Sequence, residues 1–522
     1  MQIIQSTGLL LLSTLLLFLA WPPFYFGPLI FIGLVPIFIY LDKISSEKKP
    51  LRYILGFIGF YLPLSLFSCF ASLNAWGDVN TSVLIGVFVN FFPLSLVLGF
   101  SVLIPKKVFR TLFILFGWGS MELFQQYWQL NAPLFLLGNG LGKFPSLIQH
   151  YAIWGGIGGS IYIVWINMMI AKGVLIFKSK AFQKKHWFWI AGSLLPLIFS
   201  ISVFLGSSSE TAKNEIAAKV GILLPNFDQY QKEYAQNPYL LIDRYNNLFE
   251  ELNQQDVDLV VLPETAVLNS GWVENLNAHN GANPLDSLLP GKEIVLGTYL
   301  FSISKNGGAD APYYVRHDSV NKIYYETHNC AVYRNNMNQY AIRSKGKFIP
   351  FHDAMPYSSI LMFTENWINQ VGVRTYISKY SGNETDVFST QSGIRIYTLL
   401  CFESFFSNLI VQENKNDLIL VLANEIWNDN ERGRQQYIDY LVPRAIESGK
   451  PILKVSNGGY SVFIDSYGNT SAKLDPSQSQ FHVISISKSK NSSFYSKISG
   501  TWHILVILLT ITPLFSLFFK RT

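Results

Sequence analysis

The sequence predicts a polytopic α-helical membrane protein that carries one globular α/β domain. Hydrophobic residues make up 49% of its 522 positions and charged residues only 14%, a balance foreign to a water-soluble chain of this length. Eight apolar segments of bilayer-spanning length then flank a stretch in which short β-rich runs alternate with amphipathic ones.

The apolar segments cover residues 4–20, 24–41, 52–73, 82–104, 109–128, 151–173, 187–206 and 502–519. Each is close to the ~20 residues a helix needs to cross the hydrocarbon. The first lacks a basic leader and runs into Trp21-Pro22-Pro23 with no small-residue cleavage pattern, so it reads as a retained helix. Lys and Arg in the alternate short loops set the orientation. Lys43, Lys48, Lys49, Arg52, Lys106, Lys107, Arg110, Lys172, Lys178, Lys180, Lys184, Lys185, Lys520 and Arg521 fall on one side, and Lys143 alone on the other. Fourteen against one puts both termini in the cytoplasm and the segment between helices seven and eight outside. The expected divisions are residues 1–206 for seven helices, 207–500 for an extracytoplasmic domain and 501–522 for helix eight and its tail.

Within 207–500 the strand candidates are Lys219–Leu224, Asp258–Leu262, Glu293–Gly297, Asn329–Tyr333, Ile394–Leu400, Asp417–Leu422, Ile452–Val455 and Tyr460–Ile464. Several are apolar throughout, as strands buried on both faces are. Leu241, Tyr245, Leu248 and Leu252 recur on one helical face between the first two. Asp465–Asn469 reads as a turn.

The net charge of +6 does not point to nucleic acid, because the basic residues sit in short loops between apolar runs and not on one face. Cys69, Cys330 and Cys401 are too few for a disulfide framework. The histidines, among them His150, His328 and His352, show no HxxxH or CxxC companions, so no metal is expected. A transporter is disfavoured by the want of charged residues within the apolar segments.

Three segments place a reactive side chain just after an apolar strand, where α/β sheets put their sites. In Leu262-Pro263-Glu264-Thr265-Ala266, Glu264 is either a proton acceptor or a carboxylate favoured at a helix start. In Ser344-Lys345-Gly346-Lys347-Phe348-Ile349-Pro350-Phe351-His352-Asp353, a lysine aimed into a closed site neutralises an oxyanion. Lys345 and Lys347 share an extended-strand face, so spacing does not choose between them, and a solvated basic hairpin is the plainer alternative. In Leu400-Cys401-Phe402-Glu403, a cysteine ending a strand is either a nucleophile with backbone N–H groups at hand or a small buried hydrophobe.

The order Glu, Lys, Cys, each in its own strand-end motif, resembles the nitrilase or carbon-nitrogen hydrolase superfamily. With seven apolar segments before that domain and one after, essentially the whole chain resembles the apolipoprotein N-acyltransferase family. The resemblance implies an αββα sandwich for the globular domain. It assigns Glu264 as general base and Cys401 as nucleophile. It selects Lys345 over Lys347, because the family's lysine stands five residues before the proline of a Pro-Phe pair, here Pro350-Phe351. Glu403 fits the Cys-aromatic-Glu element, and Asn424-Glu-Ile-Trp427 resembles an Asn-Asp-x-Trp element, making Trp427 a candidate pocket residue. Arg444 and Glu447 suit a structural ion pair at i,i+3.

Three departures stand out. Asp353 takes the place of a usual glutamate, Phe402 that of a tyrosine, and no Phe-Gly follows Trp427. The implied reaction is ping-pong: an acyl chain passes from a phospholipid to Cys401 as a thioester, then to the α-amine of a diacylglyceryl-modified apolipoprotein in the bacterial inner membrane. No cofactor is needed, and a monomer is expected. The alternative is a membrane-tethered amidase that uses the same residues with water as acceptor. The loop 129–150, with Leu134, Phe135 and Leu136, is expected to form an interfacial part of the lipid entry path.

Overall fold

The computed structural model describes residues 2–22, 24, 26–77, 90–131, 133–178, 183, 185–211, 216–224, 226, 237–252, 256–268, 271–278, 283–308, 311–364, 376–411, 416–477, 479–487 and 492–517. Its principal helices are α1 (Gln2–Ala20), α2 (Val35–Lys43), α3 (Lys49–Trp76), α4 (Phe91–Gly99), α5 (Lys107–Phe124), α6 (Tyr151–Lys178), α7 (Lys185–Thr211), α8 (Pro238–Leu252), α9 (Glu431–Ser448) and α10 (Phe494–Ile511). The chain divides into two compact units, residues 1–210 with 430–449 and 493–522, and residues 211–429 with 450–492.

The first unit is helical. Among the described residues, four helices are long and apolar enough to cross a membrane, Lys49–Trp76, Tyr151–Phe177, Phe188–Ser207 and Phe494–Phe515. Ser6–Ala20 and Phe91–Leu103 are apolar but shorter, and residues 82–89 of the expected fourth segment lie outside the described residues. The expected span 24–41 is interrupted at Leu34, two residues before Pro36, which has no N–H to offer the preceding turn. Asn167 of α6 inserts its amide into that gap. Its Oδ1 accepts from Leu34 N at 2.7 Å, and its Nδ2 donates to Ile30 O at 2.8 Å.

Two readings of this region need correction. Glu122 lies inside the segment 109–128, buried, with Oε1 accepting from Trp118 Nε1 at 2.9 Å and Leu137 N at 2.7 Å. It is held by donors, as a carboxylate among apolar helices must be. Leu134, Phe135 and Leu136 are buried and not presented at a surface; Phe135 packs against Trp21, Phe67 and Phe91. Helix α9, capped by Asn430 Oδ1 on Arg432 N, groups with this unit. Its Arg444 and Glu447 form a buried pair at 2.9 Å, and Glu447 Oε2 also accepts from Gly156 N.

The second unit is α/β. One sheet joins β1 (Ile216–Leu224), β2 (Leu259–Val261), β3 (Ile294–Ile303), β4 (Arg316–Asp318), β5 (Ile323–Arg334), β6 (Tyr340–Ser344) and β13 (Gln480–Ser487), in the order β13-β1-β2-β3-β5-β4 with β6 also on β5. The other joins β7 (Val387–Ser389), β8 (Arg395–Leu400), β9 (Leu418–Asn424), β10 (Ile452–Asn457), β11 (Ser461–Ile464) and β12 (Thr470–Leu474), in the order β12-β11-β10-β9-β8-β7. The central strands of each run parallel, β1-β2-β3 and β8-β9-β10.

Alternate residues of both sheets share one core: Val220, Ile222, Leu259 and Val261 meet Ile396, Leu400, Leu420 and Leu453. The other face of the first sheet packs beneath α8 through Leu241, Ile242 and Tyr245. Every residue of β9 and β10 is buried, which explains their unbroken apolar runs.

Candidate active site

Parallel strands deliver their carboxyl ends together, and three site segments begin there. Glu264 follows β2, Cys401 follows β8 and Asn424 ends β9, while Lys345 follows β6. Each loop turns sharply. Thr265, Phe351 and Cys401 have φ of +54°, +65° and +45°, a region non-glycine residues enter at a cost and that clusters at working sites.

Glu264 is 5% exposed, and its Oε1 accepts from Asn329 Nδ2 at 2.8 Å and lies 4.0 Å from Lys345 Nζ. The Cys401 thiol is a further hydrogen-bond partner of this carboxylate. The backbone beside it fits only because residue 297 on β3 is glycine: a Cβ there would lie 2.5 Å from Glu264 Cα. Burial raises the Glu264 pKa, against the pull of Lys345 and the Asn329 bond. Burial and the neighbouring Glu264 charge push the Cys401 thiol up to about 12. Below that value the proton sits on sulfur, with the Glu264 carboxyl beside it.

Lys345 is 3% exposed, with Nζ 2.7 Å from Asp353 Oδ2. Burial disfavours its charge, but Asp353 and Glu264 outweigh that and raise its pKa, so the ammonium persists. The Asp353 carboxylate draws in further donors: Ile349 N reaches Oδ2 at 3.0 Å and His352 Nδ1 lies 2.9 Å from Oδ1. Against the cost of burial, Lys345 and His352 hold its carboxyl well below the usual range. Lys347, the other lysine on that strand face, sets its Nζ 5.1 Å from the Phe406 ring centroid.

Glu403 ties two loops together. Its carboxylate pairs with Arg343 at 2.7 Å and 3.3 Å and accepts from Gly346 N at 2.7 Å, Lys347 N at 3.3 Å and Leu400 N at 2.9 Å. Despite burial, these partners lower its pKa. Phe402 is buried against Phe405 and Phe406, and Trp427 stands 59% exposed with Nε1 donating to Asn424 O at 3.0 Å.

Sequence reasoning passed over Asn329, Arg343 and the link from Asn424 Nδ2 to Thr265 Oγ1 at 2.6 Å. Asn329 was visible as a polar residue opening an apolar strand. Lys345 N also donates to Asn329 O at 2.8 Å, so this residue holds both the acid and the lysine.

Two facing sheets gather a thiol, a carboxylate and an ammonium at their strand ends, the arrangement expected from the resemblance to the nitrilase, or carbon-nitrogen hydrolase, superfamily. The apolipoprotein N-acyltransferase N-terminal domain matches residues 13–169. Proteins named apolipoprotein N-acyltransferase from Rickettsia prowazekii, Rickettsia bellii and Haemophilus influenzae are each 24% identical to this chain. The matches span 86%, 93% and 89% of this chain and 86%, 92% and 85% of those proteins. A CN-hydrolase superfamily protein from Xanthomonas campestris is similar over 52% of this chain and 90% of that chain, at 18% identity and a TM-score of 0.33, too low a likeness to bear on the fold. Over most of its length the chain is thus similar to proteins named apolipoprotein N-acyltransferase.

Proposed function

We propose that this protein transfers an acyl chain from a membrane phospholipid to the α-amine of a diacylglyceryl-modified apolipoprotein by way of a thioester on Cys401. The observation that carries this is the Cys401 thiol hydrogen-bonded to Glu264, with Lys345 Nζ 4.0 Å from the same carboxylate.

Cys401 Sγ attacks the ester carbonyl carbon while its proton passes to Glu264, so that free thiolate never accumulates. The oxygen gains a full negative charge, which Lys345 and backbone N–H groups beside Cys401 stabilise. Collapse breaks the C–O bond, and Glu264 returns the proton to the departing lysophospholipid alkoxide. The lipoprotein amine then attacks the thioester, Glu264 takes its proton, and Cys401 leaves as sulfur that is reprotonated by Glu264. Asp353 keeps Lys345 charged and aimed, and Glu403 fixes the Cys401 turn against the Lys345 loop.

We place this domain on the extracytoplasmic side of the inner membrane with both termini cytoplasmic, on the support of the fourteen-to-one loop charge. A lipid-anchored donor and acceptor reach such a site without leaving the bilayer, which would expose their chains to water at high cost. One copy contains every residue the reaction uses, so the working form is a monomer.

Mass spectrometry of the purified protein after incubation with phospholipid tests the proposal. An acyl adduct on Cys401, labile to hydroxylamine and discharged by a diacylglyceryl peptide, is expected. Absence of the adduct on active enzyme refutes the thioester route, and discharge to water at the same rate without peptide means a hydrolase.

A further inference from the structure

Asn329 lies on β5 and is 3% exposed, and the two ends of its side-chain amide differ. Nδ2 donates to Glu264 Oε1 at 2.8 Å. Oδ1 has no hydrogen-bond partner among the described residues. Turning the amide over would set two acceptor oxygens face to face, so the oxygen is the end left over. The charged groups around it are all paired: Glu264 with Asn329 and the Cys401 thiol, Lys345 with Asp353, and Asp353 also with Ile349 N and His352. A buried acceptor without a donor has given up its water and received nothing in return. At a reaction site, the missing donor is one that arrives with a substrate.

The oxygen of a planar amide sits about 2.2 Å from its nitrogen. Asn329 Oδ1 therefore lies no more than about 5 Å from Glu264 Oε1. Two acceptors at that separation are spanned by one nitrogen that donates to both at ordinary distances of about 2.9 Å. The same residue is tied to the rest of the site by its backbone, since its O accepts from Lys345 N at 2.8 Å, and Lys345 Nζ stands 4.0 Å from the Glu264 oxygen that Asn329 holds. The path that brings an amine to Glu264 brings it to this bonded neighbour.

Only one half-reaction supplies the donor. The phospholipid ester has no N–H at its reacting carbonyl, and a carbonyl oxygen repels either oxyanion. The lipoprotein α-amine, as the neutral nucleophile, has two N–H bonds. Its lone pair forms the C–N bond, one N–H proton passes to Glu264, the C–S bond breaks, and the Cys401 sulfur takes that proton back from Glu264. The second N–H stays in the amide product.

We infer that Asn329 Oδ1 accepts the N–H that the acceptor amine keeps, and so aims the amine lone pair at the thioester carbon. Asn329 is then a catalytic residue of the second half-reaction: Nδ2 serves both halves through Glu264, and Oδ1 serves the second alone. This rests on the reading of Cys401 as the thioester carrier and Glu264 as its base.

The test times the two half-reactions separately in the full-length protein, by mass spectrometry of the Cys401 peptide. Adduct formation is measured from phospholipid, and discharge is measured with a diacylglyceryl peptide after the donor has been removed. Variants that load slowly are charged beforehand with a p-nitrophenyl acyl ester. A residue that acts only by holding Glu264 slows both steps by the same factor, because Glu264 is the base in both. Asn329→Ala loses both ends of the amide, and its discharge should slow about tenfold more than its adduct formation. Asn329→Asp keeps an acceptor oxygen in place of Oδ1 and loses the amide N–H on Glu264, so it should slow both steps alike. Equal slowing of the two steps in Asn329→Ala overturns the inference, as does an excess loss of discharge in Asn329→Asp as large as that in Asn329→Ala. Should Asn329→Ala not accumulate, Asn329→Ser, whose hydroxyl is one atom short of the position of Oδ1, is read in the same way. Wild-type protein that forms no adduct, or an adduct the peptide does not discharge, refutes the thioester proposal itself; the ratio of the two rates in the variants decides the role of Asn329.

Discussion

Glu403 and Arg343 form a bidentate ion pair with both side chains buried, and the same carboxylate also accepts from backbone N–H groups of the Cys401 turn and the Lys345 loop. One side chain therefore ties the Cys401 turn to the Lys345 loop. Glu403→Gln leaves Arg343 charged and unmatched in a dry site, and removing one partner of such a pair costs about 3–5 kcal/mol. A lower unfolding midpoint in detergent is expected, with acyl-adduct formation on Cys401 reduced by about a hundredfold or more through the displaced loop. Wild-type adduct rates in folded Glu403→Gln would show that this bracing is dispensable.

Gly297 supplies a second constraint, this time on Glu264. A methyl at that position meets backbone, at 2.5 Å from Glu264 Cα and 3.1 Å from Thr265 N, and backbone does not yield as a flexible side chain does. Gly297→Ala is expected to push the Glu264 loop away from Cys401 and abolish measurable thioester formation, while α8 and its core stay intact by circular dichroism. A variant with full activity would mean the loop tolerates the shift.

Much of this was legible in the sequence because the central parallel strands are apolar on both faces. The runs Asp417–Leu422 and Ile452–Val455 announce β9 and β10, and the motif residues follow such runs directly. The edge strands β4, β7 and β12 are short and partly exposed, and their residues do not alternate cleanly. Their pairing is a tertiary fact with no local pattern. The same holds for Arg343 and Asn329, whose partners lie 60 and 65 positions away in sequence. Helix α9 shows another limit: its chain position falls between β9 and β10, yet its buried Arg444 and Glu447 serve the helical unit. In that unit, Pro36 and Asn167 break a segment that hydropathy alone reads as one span.

Asp353 pairs with Lys345 at 2.7 Å and is the larger of the two carboxylate influences that favour its charged form. Asp353→Asn removes the strongest support for the ammonium, so Lys345 turns toward Glu264 and suppresses its basicity. Thioester formation should fall about a hundredfold or more, with phospholipid binding by the detergent-solubilised protein unchanged. A loss in binding and not in adduct rate would place Asp353 in lipid recognition instead.

The pH dependence carries a sign. Burial raises the pKa of Glu264, and the proposed mechanism needs its carboxylate ionised to take the thiol proton. The acid limb of adduct formation should therefore lie above the ordinary glutamate value of about 4.3, with activity lost as pH falls through it. Because the thiol is pushed up to about 12, no rise should appear near the ordinary cysteine value of about 8.5. Single-turnover acylation rates from pH 4 to 10 measure both limbs. A clear inflection near 8.5 would mean that Cys401 ionises before attack and that Glu264 is not its base.

Trp427 differs from the rest of the cluster in being 59% exposed, although its indole N–H is anchored on Asn424 O at 3.0 Å. An aromatic side chain anchored by its N–H and more than half exposed contributes little to folding and offers apolar area to a passing chain. Trp427→Ala should leave the unfolding midpoint within about 1 °C, as surface changes do. Its effect should fall on KM for the lipid donor or the diacylglyceryl acceptor, by about tenfold, with the maximal rate of adduct formation nearly unchanged. Steady-state kinetics with each substrate varied in turn identify which chain the ring meets. An equal loss of kcat and kcat/KM would instead mean that Trp427 acts only in the transition state, through the Asn424 loop.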